Sequence, residues 1–224
     1  MQSQPDRQHH LTAPISESDI ANLRAGDIVY LSGPVFTARD GVYRHMLVEN
    51  NEPPIDLRAL TNVSFQSSPA GGEVALGEYA VSSLQATAGF RYAQYMPDLM
   101  GRFGVKMVVG KAGMSEEVYS DVFRKHGAVC LTTMGYGLGA IYGKAVKRVI
   151  DVHWVEELGI SEALWTMELD ELGPLLVEGD AHGNSYFAQA NARINERLDD
   201  LYEGLKPPVY RRLGEEQRPG RELF

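Results

Sequence analysis

The chain carries one cysteine, Cys130, in 224 residues. A single thiol excludes an intrachain disulfide framework. It also excludes a zinc or iron–sulfur site that needs several thiolates from this chain alone. One cysteine fits a reducing, cytoplasmic compartment. Long apolar runs are missing as well: none approaches the roughly 18 residues of a membrane helix. The opening MQSQPDRQHHLTAPIS lacks the apolar centre of a signal peptide. Positive charge is in deficit, with 21 Lys+Arg against 30 Asp+Glu and a net charge of −9. That balance argues against nucleic acid and anionic membrane as partners, because both need clustered cations. The six histidines are scattered apart from His9-His10, and none has the i, i+4 spacing of a helical zinc site, so no metal ligand is assigned. What remains is an ordinary globular composition, 44% hydrophobic and 23% charged.

The punctuation of the chain predicts one α/β domain over 15–203, a flexible N-terminal tail over 1–14 and a C-terminal arm over 204–224. SESDIANL offers Ser16 or Ser18 as an N-cap before a short helix. DIVYLSGPVFTA reads as strand, RDGVYRHMLVENNE as a short helix, and 53–88 as turns and β-rich segments. FRYAQYMPDLMGRFG has helical register interrupted by Pro97. The second half is of βαβ type: VKMVVG as strand, SEEVYSDVFRKHG as a helix ending at Gly127, and AVCLTTMG as strand. GLGAIYGKAVKRVIDV is expected to be a Gly-opened helix, and 162–187 strands with turns. A closing helix over 189–205 would place Ala190, Ile194, Leu198 and Leu201 on one face.

VVGKAGMSEEVY, residues 108–119, is the stretch with the most chemistry in it. A strand delivers Lys111 to a Gly-Lys-Ala-Gly turn ahead of an acidic helix. A phosphate-binding P-loop fails on spacing, since Val105 stands where glycine is needed and Ala112 replaces the magnesium-binding hydroxyl. A carboxylate site is the other functional reading, with turn amides at a helix N-terminus and a lysine point charge meeting a small organic acid. A surface turn that glycines merely permit accounts for the same residues. Gly135-x-Gly137-x-x-Ala140 fits a loose dinucleotide fingerprint, but no acidic ribose partner follows it at the expected distance. Cys130, in an apolar strand, reads as a small buried hydrophobe. DAHGN at 180–184 reads as a turn with His182 facing solvent, and Trp154 and Trp165 as core or interface.

Long ordered stretches, GVKMVVGKAGM, IDVHWVEELGISEALW and LGPLLVEGDAHGN, together with FTARDG and QATAGFR, carry a resemblance over about residues 11–187. The chain resembles the β subunit, or fused C-terminal domain, of the class I fumarase and L-tartrate dehydratase family of iron–sulfur hydro-lyases. The resemblance implies a swivelling β/β/α domain and assigns substrate binding to Arg39, Arg91 and Lys111, with Thr87 and Lys111 as catalytic. The chain departs from the family pattern at Tyr43, where a histidine is usual, at Gln85-Ala86 in place of Gly-Pro, and at Ala88 in place of a second threonine.

The implied reaction is the reversible dehydration of a small 2-hydroxy dicarboxylate, of the malate/fumarate or tartrate/oxaloacetate type. It needs a Lewis acid on the leaving hydroxyl, a base for the adjacent proton, and cations for two carboxylates. In the family a [4Fe–4S] cluster held by cysteines of the other subunit or domain is the Lewis acid. With one cysteine, this chain is expected to supply the carboxylate clamps to a cluster-bearing α subunit in a hetero-oligomer or dimer. The alternative is a non-catalytic anion-binding or regulatory relative that kept the fold.

Overall fold

The computed structural model of the protein describes residues 7–135, 137–198 and 203–204. It divides the chain into a compact unit over 1–189 and a second over 190–224. The strands are β1 (Gln8–Thr12), β2 (Ile28–Thr37), β3 (Val63–Phe65), β4 (Ser67–Ala75), β5 (Glu78–Ala86), β6 (Met107–Gly110), β7 (Val129–Thr133), β8 (Val146–His153) and β9 (Leu164–Gly179). The helices are α1 (Glu17–Asn22), α2 (Asp40–Tyr43), α3 (Leu57–Leu60), α4 (Met96–Phe103), α5 (Arg124–His126), α6 (Gly139–Gly143), α7 (Val155–Leu158) and α8 (Tyr186–Asn195). A π-helical stretch, Arg44–Val48, continues α2, a second, Val118–Phe123, leads into α5, and a 3₁₀ stretch, Gly89–Tyr95, leads into α4.

The α/β class read from the sequence is the class observed. A seven-stranded sheet runs β1-β2-β3-β6-β7-β9-β8, and β4 and β5 form a separate two-stranded sheet. β1, β2, β3, β6 and β7 run parallel to one another, whereas β9 runs antiparallel to β7, β8 and β2. Because β9 pairs with both β7 and β2, the strands β2, β3, β6, β7 and β9 close into a ring. Every residue of β3, β6 and β7 is buried, as parallel strands covered on both faces require. Period-2 alternation then divides their side chains between two cores. Met107, Val109, Val129 and Leu131 join one cluster with Trp165, while Val108 and Cys130 join the other with Tyr43, Tyr92 and Phe123. Cys130 is the buried hydrophobe its setting suggested.

Caps follow the sequence closely. Ser16, of the two candidate serines, caps α1 by accepting the Asp19 amide at 3.0 Å. Pro97 falls in the first turn of α4, where its missing N–H has no intrahelical partner to lose. Gly104 and Gly127 end their helices with φ of 67° and 56°, the left-handed region where glycine alone pays no steric penalty.

Three expectations are corrected. Residues 8–12, placed within a flexible tail, form β1, which pairs in parallel with β2 from Gln8↔Ile28 to Thr12↔Ser32. His9 Nε2 lies 2.9 Å from Asp27 Oδ2 and fastens this strand. An edge strand is held by backbone hydrogen bonds, so its polar composition concealed it. The helix expected over 137–152 breaks after α6, and β8 follows. Register shifts between Val146 and Arg148 and between Val149 and Asp151 bring Val146, Val149 and Val152 to one core. Two bulges thus turn a period of two into a period of three that imitates a helix. Finally, the closing helix expected over 189–205 is α8, which starts earlier, at Tyr186, and runs to Asn195. Leu201 and, apart from Gly204, the arm expected over 204–224 lie outside the described residues.

Candidate functional site

In parallel sheets the strand ends that point the same way gather the loops that follow them, and ligand sites form there. Arg39 follows β2, Gln66 follows β3, Lys111 follows β6, and Thr132–Thr133 end β7. Thr87 reaches this edge from β5. Its amide donates to Gln66 O at 2.6 Å, and its carbonyl accepts the Lys111 amide at 3.0 Å. A parallel bridge, Ala88↔Lys111, and the Gly89 amide on Lys111 O at 2.9 Å continue the contact. Thr87 and Lys111, far apart in sequence, are therefore backbone neighbours.

The two arginines are each paired with a carboxylate. Arg39 Nη1 lies 2.9 Å from Glu162 Oε1, and Glu162 Oε2 accepts the Gly41 amide at 3.0 Å. Arg39 Nε is buried with no hydrogen-bond partner among the described residues. Arg91, carried by the 3₁₀ stretch, forms a short ion pair with Asp40, whose Oδ2 also accepts the Tyr92 hydroxyl at 3.3 Å. The Arg39–Glu162 pair is 21% and 25% exposed, the Arg91–Asp40 pair 43% and 42%. Solvent screens the second pair more strongly than the first.

The lysine turn differs from its sequence reading. The helix after it starts at Glu116, so Lys111 does not sit at a helix N-terminus. The amides of Lys111, Ala112 and Gly113 all donate inward, to Thr87 O at 3.0 Å, Thr132 Oγ1 at 2.8 Å and Glu178 Oε1 at 3.0 Å. These amides are committed to the protein, and a ligand would meet the lysine side chain instead.

Four residues of this site escaped the sequence reading. Glu162 was hidden in a loop. Gln66 is fully buried, donates to Tyr43 Oη over a long 3.4 Å, and faces Gly110, where a Cβ would come within 2.6 Å of its Oε1. Asp40 was passed over beside Arg39. Glu178, 2% exposed, was legible as a lone carboxylate inside the apolar run PLLVEG. Tyr43 is fully buried against Tyr92 and Tyr95, and its phenol is pushed far up by burial, so it is a wall of the site and not a titrating group.

Burial also raises the Glu178 carboxyl, against the opposing bonds from Gly113 and Tyr119. An acid held higher in the folded chain than in the unfolded chain binds its proton more tightly when folded. Stability is therefore lost as pH rises from the ordinary value of 4.5 toward the folded value. Glu178→Gln, which cannot ionise, is expected to flatten the dependence of Tm on pH above that point. Thermal melts of both proteins over about pH 4 to 8 measure the difference.

The glycine-rich segment is structural. A Cβ on Gly139 would strike Ser83 Oγ, and one on Gly143 would lie 2.6 Å from Ser82 O, so these glycines let α6 pack on β5. Trp165 is core, and His182 is exposed with Nε2 3.1 Å from Ala21 O. Cys130 does not suit an iron–sulfur cluster: it is buried, its thiol is raised by desolvation and by Glu178, and no group of three metal-ligating side chains occurs among the described residues. No described helix is long and apolar enough to cross a membrane.

Two arginines, a lysine and a threonine thus lie along one edge of an α/β domain. The chain belongs to the family described as the fumarase C-terminus, whose profile matches residues 1–190. It is 33% identical over 190 residues to a protein of Methanocaldococcus jannaschii provisionally named an L(+)-tartrate dehydratase subunit beta, covering 84% of this chain and 95% of that one. It is 31% identical over 203 residues to the L(+)-tartrate dehydratase subunit beta of Escherichia coli, covering 89% and 96%. A protein of Geobacillus stearothermophilus provisionally named a class I fumarate hydratase is 29% identical over 200 residues, 89% of this chain and 37% of that longer one.

Proposed function

We propose that this chain is the β subunit of an iron–sulfur-dependent hydro-lyase that reversibly dehydrates a small 2-hydroxy dicarboxylate, working in the cytoplasm beside a cluster-bearing α subunit. The observation that carries this reading is the convergence of Arg39, Thr87, Arg91 and Lys111 on one edge of the sheet, in a chain whose relatives are named as tartrate dehydratase β subunits. Arg39 and Arg91 hold the two carboxylates, Lys111 adds the third positive charge, and Thr87 directs its hydroxyl to the substrate. Arginine suits the first task because its planar fork matches both oxygens of a carboxylate. The cluster would lie on the partner, since the residues of this chain do not fit it.

Exposed apolar side chains around the same edge support a partner there. Phe90, Met134, Leu138 and Ile141 are 62%, 54%, 44% and 56% exposed. Purified without oxygen from its own cells, the chain is expected to come with an equal amount of a cysteine-bearing protein. The eluate should contain iron and sulfide and dehydrate malate or tartrate. A colourless chain that elutes alone overturns the reading and leaves the anion-binding relative, which the losses at Tyr43, Ala86 and Ala88 favour.

A further inference from the structure

The turn that carries Lys111 is anchored from beneath by three acceptors on three separate segments. The third, Glu178, is the least expected of them. It lies one residue from the end of β9, 2% exposed, directly after the apolar run Leu175-Leu176-Val177. Its Oε1 accepts two hydrogen bonds, from the Gly113 amide at 3.0 Å and from the Tyr119 hydroxyl at 2.7 Å. Its Oε2 is buried with no partner among the described residues. Gly179 follows, and a Cβ there would run into the Tyr119 ring, so the glycine is what lets the tyrosine close over the carboxyl. The groups facing it are Tyr119 from the helical segment, Cys130 from β7 and the Gly113 amide from the turn.

A buried carboxyl with one unsatisfied oxygen is an expensive way to fill a core, and a leucine would pack there without that desolvation. What a leucine cannot do is accept an amide. We propose that Glu178 is a positioning residue for Lys111: by holding the Gly113 amide it fixes the Gly110–Gly113 turn and so the place from which the lysine side chain meets substrate. The proposal rests on the assignment of Lys111 to a dicarboxylate. The acceptor role is open to the charged and the neutral acid alike, and to glutamine.

Two measurements test it, and only the second depends on the hydro-lyase reading. In the chain itself, Glu178→Ala is expected to speed amide hydrogen exchange at 110–114 by about tenfold, the loss of one such hydrogen bond. The strands β2, β3 and β9 should stay as protected as before, and Glu178→Gln should restore the slow rate. Exchange that rises equally across all strands, or that glutamine fails to restore, overturns the proposal. In the complete enzyme, Glu178→Ala should raise KM for the dicarboxylate about tenfold with little change in kcat. Added to Lys111→Ala, it should change KM less than about twofold, because the residue it positions is gone. Independent, multiplying effects overturn the proposal. An inactive complex would defeat the functional reading, and the exchange rates would still decide whether Glu178 sets the turn.

Discussion

Arg39→Ala is expected to lower kcat/KM for the dicarboxylate by roughly ten- to a hundredfold, most of it in KM. The range follows from the loss of a partly buried, charge-assisted contact, about 1.5–3 kcal/mol. The role proposed for Arg39 draws on its surroundings. Glu162 takes Nη1 at 2.9 Å and stops the guanidinium from turning, while the buried Nε has no partner among the described residues. The fork is thus oriented with a donor to spare. Arg39→Lys should recover little of the loss, because a point charge has no second donor in the same plane. Arg91→Ala is expected to cost less than Arg39→Ala. Its pair with Asp40 is 43% and 42% exposed, and screened contacts of that kind contribute about 0–1 kcal/mol. Steady-state kinetics of the three variants in the intact complex check the order. An Arg91→Ala effect larger than that of Arg39→Ala would mean that the more exposed guanidinium carries the substrate.

The part of this architecture that was legible in the sequence is the part fixed by local rules. Gly127 and Ser16 mark helix ends because a left-handed residue and an amide-accepting hydroxyl are local needs, and β6 and β7 read as strands because a parallel strand covered on both faces is apolar throughout. β1 and β8 escaped for the opposite reason. One is a polar edge strand whose hydrogen bonds leave no trace in composition. The other has bulges that rewrite its periodicity. The site divided in the same way. Lys111 stood out by its flanking glycines, but the direction of the turn amides did not, since Thr132 and Glu178 reach them from remote strands. Arg39 could be placed by resemblance, yet the carboxylate that orients it lies on a loop far along the chain, and no spacing rule links positions 39 and 162.

Trp165→Ala is expected to have the largest effect on stability, about 3–5 kcal/mol, the range for removing a fully buried aromatic side chain. Against a typical domain stability of about 5–15 kcal/mol, that is a large fraction of the whole. Full burial and two contacts argue for the upper part of the range. Trp165 is fully buried, its indole N–H donates to Ile160 O at 2.9 Å, and its ring meets Tyr79 edge-on at 5.6 Å. Gly71 makes the room, since a Cβ there would come within 3.1 Å of the indole. The small β4–β5 sheet therefore docks on this ring and would be left over a cavity without it. The consequence should extend to the site. The Trp165 amide donates to Thr37 Oγ1 at 3.2 Å, which ties the segment holding Glu162 to the end of β2 just before Arg39. Trp165→Phe should keep most of the packing and lose the bond to Ile160 O, at about 1–3 kcal/mol. Urea unfolding of the two variants separates these contributions. Near-equal losses for alanine and phenylalanine would show that the indole hydrogen bond, rather than ring volume, holds β4 and β5 against the main sheet.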